Sequence, residues 1–242
     1  MKVDVRFTVP ELDSGELNGT TAVVVDVVRA TTTLTAALAQ GAGAVFPAES
    51  AEEAIRLLQS LGREDTLLCG ERKGVRPEGY DLGNSPSEFT ADVVKGKRLI
   101  MATTNGTRAL RAVEDADRVV AAAFVNLGAV AKAIAGDDRV LVVCAGRSDQ
   151  FALEDAACAG ALLLRLQDEG VALEPGDGAR SAMTLAGAQP LDRDFLASTR
   201  AGRLLVDVDL AADLEWCARL DTLPVVPVFE DRAVTLSGDV DD

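Results

Sequence analysis

The stretch TTAVVVDVVRATTTLTAALAQ at residues 20–40 decides the fold. Residues 20–28 are Val-rich around one aspartate, the pattern of a strand buried on both faces, and residues 31–40 read as a helix that Gly41 stops. A polar string, DVVRATTT from Asp26, lies at the junction. Similar strings stand where other apolar runs end: GERKG from Gly70, TTNGTR from Thr103 and CAGRSD from Cys144. Three of the four follow a β-branched run and lead into an Ala/Leu-rich stretch. Catalytic loops of α/β enzymes sit at such strand ends.

Outward from this unit the same rhythm repeats. Residues 43–47, 66–69, 98–102, 118–123 and 139–144 read as strands, and 51–61, 106–113, 126–135 and 153–169 as helices, the first capped by Ser50. The pattern predicts an α/β protein, a three-layer α/β/α arrangement on a mostly parallel or mixed sheet, as one domain over residues 1–242 or as two subdomains. Residues 171–194 break the rhythm with Gly, Pro and Asp and are the expected boundary, hinge or insertion. Residues 70–89 read as a long functional loop, 195–220 as helical, and 224–229, with two prolines, as an edge strand. The closing SGDVDD at 237–242 is expected to fray.

Composition narrows the chemistry. The chain has 242 residues, 48% of them hydrophobic, and a net charge of −15 from 39 acidic and 24 basic residues. Such acidity disfavours nucleic acid and anionic membranes as partners. No signal peptide and no membrane-length apolar run is present, so a cytoplasmic protein is expected, with a homo-oligomer left open. Four scattered cysteines, Cys69, Cys144, Cys158 and Cys217, suggest neither zinc nor disulfides, and Cys144 reads as packing rather than as a nucleophile. Histidine is absent, which leaves acid/base work to carboxylates, Tyr80, lysines or thiols, and leaves hard cations on oxygen ligands as the natural metals.

Specific rivals fail on spacing. A haloacid dehalogenase-type DxDx[TV] would need an acid at Val28; a cysteine phosphatase would need arginine where Gln150 and Val75 stand. There is no P-loop, and GAGAVF at 41–46 lacks the third glycine of a dinucleotide fingerprint. What remains suits a small anion. In TTNGTR, Asn105 and Gly106 allow close backbone approach, Thr104 and Thr107 offer hydroxyls, and Arg108 can clamp an oxyanion; the alternative is a capped Asn-Gly turn. Asp26, near Arg29 and Thr31, can hold Mg²⁺ or attack phosphorus, or simply pair with Arg29. Glu71 beside Arg72, and Glu154 beside Asp155, can ligate metal or act as base, although the last two also suit the first turn of a helix.

Taken in order, DVVRATTT, GERKGVRPEGYDLGNSPSEF, TTNGTRAL and CAGRSDQFALEDAACAG resemble the magnesium-dependent 2-phosphosulfolactate phosphatases, densely over residues 20–165 and more thinly through GRLL at 202–205 and DLEWCARLD at 213–221. The resemblance implies hydrolysis of 2-phospho-3-sulfolactate to 3-sulfolactate and phosphate, a step of coenzyme M biosynthesis, with Mg²⁺ required. Under it, Asp26, Glu71 and Glu154 are the catalytic carboxylates, and Asp26, Glu71 and Asp81 the metal set. Substrate binding falls to Arg29, Thr31, Arg72 and Asn84, to Thr104, Asn105, Gly106, Thr107 and Arg108, and to Arg147, with Lys73 adding positive charge. A non-catalytic binder of phosphorylated or sulfonated acids, a phosphatase for another small phosphoester, and a lyase or isomerase of related acids remain as alternatives.

Overall fold

The computed structural model describes residues 1–13 and 15–238; the last four residues of the SGDVDD tail lie outside them. The strands are β1 (Lys2–Arg6), β2 (Thr21–Val25), β3 (Ala44–Pro47), β4 (Thr66–Gly70), β5 (Arg98–Ala102), β6 (Arg118–Ala122), β7 (Arg139–Cys144), β8 (Glu174–Pro175), β9 (Pro227–Glu230) and β10 (Ala233–Leu236). The α-helices are α1 (Ala30–Ala39), α2 (Ala51–Leu61), α3 (Ala91–Val94), α4 (Gly106–Ala112), α5 (Leu127–Ile134), α6 (Leu153–Asp168), α7 (Asp177–Gly187), α8 (Arg193–Ser198), α9 (Arg200–Asp207) and α10 (Ala212–Cys217).

All ten strands form one sheet in the order β4-β5-β3-β10-β9-β6-β2-β7-β1-β8. It holds two parallel blocks, β4-β5-β3 and β6-β2-β7-β1-β8, which run in opposite senses because the β9–β10 hairpin joins them through antiparallel pairs on both sides. The expected mixed α/β sheet with helices around it is therefore present.

The Val-rich reading of β2 explains its central place. Val23 and Val25 point into one apolar cluster with Val130 and Ile134 of α5 and Leu162 and Leu166 of α6. Ala22 and Val24 point into the other, with Leu34 and Leu38 of α1 and Leu110 of α4. A strand covered on both faces has no polar alternation, which is why its sequence is almost continuous Val. The second cluster also takes in Val45, Leu99 and Met101 from the other block. The sheet thus folds over a helix layer, α1 and α4, shared by both blocks, and loops that leave β2 and β5 meet although their strands run in opposite senses. Helix α2 covers the outer face of β4 and β5 through Ala54, Leu57 and Leu58, and Ser50 caps it by accepting the Glu53 N–H.

One expectation changes, and a strand appears where the sequence reading assigns nothing: β1 pairs with β7 over five residues. The PVVPVF strand is not an edge: β9 sits between β10 and β6. Pro227 is tolerated because it lies at the open end of the hairpin opposite Leu236, while the β6 side aligns only Val228 with Val120. Residues 171–194 carry β8, which pairs with β1, and α7, which lies against α6.

That last contact is unusually close. A Cβ at Gly160 of α6 would stand 1.9 Å from the Ala182 carbonyl oxygen of α7. Gly160→Ala gains about 1 kcal/mol of helix propensity. Overpacking against backbone costs more, so a net loss of about 2 kcal/mol and a Tm lower by roughly 4–8 °C are expected. An unchanged or higher Tm in thermal denaturation would remove this account of the α6–α7 contact.

Candidate active site

The four polar strings converge on one cavity of about 270 Å³. Asp26 and Arg29 follow β2, Glu71 to Gly74 and Asn84 follow β4, Thr103 to Asn105 follow β5, and Arg147 and Ser148 follow β7. Ala201, Leu204 and Leu205 of α9 form the apolar wall. The meeting of the β2 and β5 loops depends on Gly106, where a Cβ would lie 2.4 Å from Ala30 Cβ and 2.8 Å from Asp26 Oδ2. Gly106 therefore works by its lack of a side chain.

The carboxylates divide into holders and an uncompensated group. Asp155, buried, accepts the Val27 N–H at 2.9 Å on one oxygen and the Gly146 N–H at 3.1 Å on the other, tying the β2 loop to the β7 loop. Burial and the neighbouring Asp26 and Glu154 charges push its carboxyl up, and the two amides oppose them. Glu71 braces the next corner: Oε1 accepts the Thr104 N–H at 2.9 Å and its hydroxyl at 2.7 Å, and Oε2 accepts the Gly74 N–H at 2.7 Å. Asp26 is different. Only 7% exposed, it accepts one long bond, from the Ala30 N–H at 3.3 Å. Burial pushes Asp26 up to about 7; Glu71 and Glu154 add to the rise, against the Ala30 amide and Arg29. Glu154 is also raised by burial, opposed by backbone, the Thr199 hydroxyl and Arg147.

The basic residues divide in the same way. Arg29 is enclosed: its two amino groups bond Asp213 Oδ2 and the Gly74 carbonyl, each at 2.6 Å. Arg72, Lys73 and Arg147 line the cavity and form no ion pair with a carboxylate among the described residues. Asn84 is 4% exposed, and its Oδ1 has no hydrogen-bond partner among the described residues although it is fully enclosed. Two non-glycine residues of the lining, Lys73 and Ser148, sit at left-handed φ of 55° and 50°. Such backbone persists where the surroundings impose it.

Asp26, Glu71, Arg29, Arg72, Asn84, Thr104, Asn105 and Arg147 are thus brought together at the cavity, with Glu154 close enough to Asp26 to influence its charge. The remaining sequence candidates lie elsewhere or are occupied. Asp81 is outside, accepting from Arg63 at 2.7 Å and from the Leu68 N–H at 2.8 Å. Arg108 turns to Asp149 at 3.0 Å, also outside the cavity. The hydroxyls of Thr31 and Thr107 donate to the carbonyls of Asp26 and Thr103 and so close helix starts. Cys144 is buried, and burial pushes its thiol well up, as a packing residue requires. Ser148 lies in the CAGRSD string, Leu204 and Leu205 in GRLL, and Asp213 opens DLEWCARLD, but none of them is singled out as a site residue from its sequence.

Among the described residues no three His, Cys, Asp or Glu side chains stand together as a ready-made metal cage. Mg²⁺ rarely uses one; it binds through one or two carboxylates, water and substrate phosphate. Asp26, raised by burial and by two further carboxylates, fits that donor chemistry.

Comparisons with known proteins agree with the whole span of this site. The family model described as 2-phosphosulpholactate phosphatase matches residues 7–232. A protein of Symbiobacterium thermophilum is 41% identical over 228 residues, covering 91% of this chain and 96% of its own. One of Clostridium acetobutylicum is 35% identical over 230 residues, covering 95% and 97%, and one of Thermotoga maritima is 37% identical over 211 residues, covering 86% and 88%. All three are named as probable 2-phosphosulfolactate phosphatases. With the match running from just after β1 through β9 and all four strings inside it, this chain belongs to the 2-phosphosulpholactate phosphatase family.

Proposed function

We propose that this chain is a Mg²⁺-dependent phosphomonoesterase that converts 2-phospho-3-sulfolactate, or a closely related phosphorylated hydroxy acid, and water into 3-sulfolactate and phosphate. The observation that carries this reading is the joint presence, in one small cavity, of the poorly bonded buried carboxylate Asp26 and three cations without carboxylate partners, Arg72, Lys73 and Arg147. A substrate bearing phosphate, sulfonate and carboxylate supplies the anions those cations lack. Asp26 with Glu154 or Glu71 would hold Mg²⁺, which would supply positive charge against the phosphoryl group and the carboxylates. Arg147 and Arg72 offer forked donors to the oxyanions, and the enclosed Asn84 Oδ1, an acceptor, suits a donor group of the ligand or a bound water rather than an oxyanion. Leu204 and Leu205 exclude water from that side. Hydrolysis breaks the P–O bond, places the water oxygen on phosphorus and returns a proton to the leaving alkoxide. The reaction belongs to coenzyme M biosynthesis, and the four unpaired cysteines suit a reducing cytoplasm. None of the described helices is long and apolar enough to cross a membrane.

Phosphate release from phosphosulfolactate should require Mg²⁺ and should fall by about 10³-fold in kcat for Asp26→Asn. Arg147→Ala should act mainly on KM, by roughly 10-fold or more, as loss of a charge-assisted bond does. Release undiminished in excess chelator, or in Asp26→Asn, would sink the mechanism. Saturable binding without turnover would point to a binder, and product without free phosphate to a lyase or isomerase.

The raised Asp26 pKa also makes a prediction without catalysis. Its folded value, about 7, exceeds the usual 3.8, so the stability associated with its proton is full below 3.8 and is lost as pH rises through 7. In metal-free protein Asp26→Asn should therefore be more stable than wild type at pH 8, by on the order of 2 kcal/mol. The advantage should shrink as pH falls towards 4, and Mg²⁺ should favour the wild type. Denaturation curves at several pH values would refute this if the asparagine variant were the less stable one at pH 8.

A further inference from the structure

The Arg29–Asp213 pair is the most thoroughly enclosed ion pair among the described residues, both side chains 3% exposed, and it joins the first polar string to a residue of α10. Its desolvation cost is high enough that apolar residues of similar size would hold the wall at least as well. Asp213 is also bonded on its other oxygen by the Ser85 hydroxyl, so its carboxylate is fixed from two sides. Arg29 then uses its second amino group on the Gly74 carbonyl, and the Gly74 N–H reaches Glu71. Glu71 in turn holds Thr104 at the floor of the cavity.

We infer that Asp213 is a positioning residue that fixes Arg29 as a clamp on the 71–74 loop and cancels its charge, so that Arg29 does not act as an anion ligand. The inference rests on reading the cavity as an anion site. Its consequence is that product phosphate faces only Arg72, Lys73 and Arg147, and leaves more readily than it would from a pocket with four free cations. Asp213 deepens the site's specificity by setting its charge, without touching substrate.

The test uses inorganic phosphate as a competitive inhibitor of phosphosulfolactate hydrolysis. Asp213→Asn leaves Arg29 uncompensated, and phosphate should inhibit about tenfold more tightly, whereas merely loosened packing would weaken inhibition. Asp213→Glu keeps the charge and should stay within about threefold of wild type. If Asp213→Asn does not fold, the double variant Arg29→Gln with Asp213→Asn buries no lone charge and carries the test. Its phosphate inhibition should not tighten, because no lone charge is left, and should weaken, because the clamp on the Gly74 carbonyl goes with Arg29. Inhibition tighter than wild type there, or unchanged or weaker inhibition in folded Asp213→Asn, overturns the inference while leaving the anion site intact. Wild-type enzyme that phosphate does not inhibit overturns the anion-site reading, and this inference with it.

Discussion

The Asp155 carboxylate is the fixture on which the site hangs. Its two oxygens take the N–H groups of Val27 and Gly146, the residues beside Asp26 and Arg147, so one buried side chain sets the separation of the carboxylate end and a cationic corner. From Gly146 the connection continues through the Ser148 N–H to Asn105, through Thr104 to Glu71, through Gly74 to Arg29, and along the backbone back to Val27. This is a closed belt of hydrogen bonds around the cavity. The belt joins loops from both parallel blocks of the sheet, and a shift at any corner must be shared by the rest. Buried donors left without acceptors cost about 1–3 kcal/mol each, which is what gives the belt its rigidity.

Charge accounts for the remaining design. The chain carries a net charge of −15, yet its anion-binding reading requires local positive potential. The resolution lies in which groups are neutralised. Arg29 is matched by Asp213 and Arg108 by Asp149, while Arg72, Lys73 and Arg147 are unmatched and face the cavity. On the acidic side, Asp155 and Glu71 are each held by several donors, and Asp26 is left with one long bond. An underbonded acid opposite underpaired cations favours a ligand that brings both a divalent cation and several negative oxygens.

Most of the fold was legible because its signals are local. Val-rich β2, the Ser50 cap of α2 and the glycine stop after α1 each need only a few neighbouring residues to be recognised. β1 was legible in principle, since Lys2, Asp4 and Arg6 alternate with Val3 and Val5, which enter the core. β9 was misplaced to an edge because proline reports only a missing donor, and the sheet's tolerance of it depends on partners far away in sequence. Within the site, the strings identified the right loops but not the right atoms. Asp81 lies in the correct segment and faces away from the cavity, and Asp213 lies 184 residues from the arginine it holds.

The same limit explains why the polar strings contain more functional groups than the cavity uses. A strand that ends in a tight turn into a helix leaves backbone donors and acceptors that must be satisfied. Thr31, Thr107 and Asp155 satisfy them, and Gly106 makes room for two helix starts to meet. These residues resemble ligands in sequence because the chemistry that binds an oxyanion also caps a backbone. The difference appears only when each atom's partners are counted. By that measure Asp26, Asn84, Arg72, Lys73 and Arg147 retain capacity for an external ligand, and they all face one cavity.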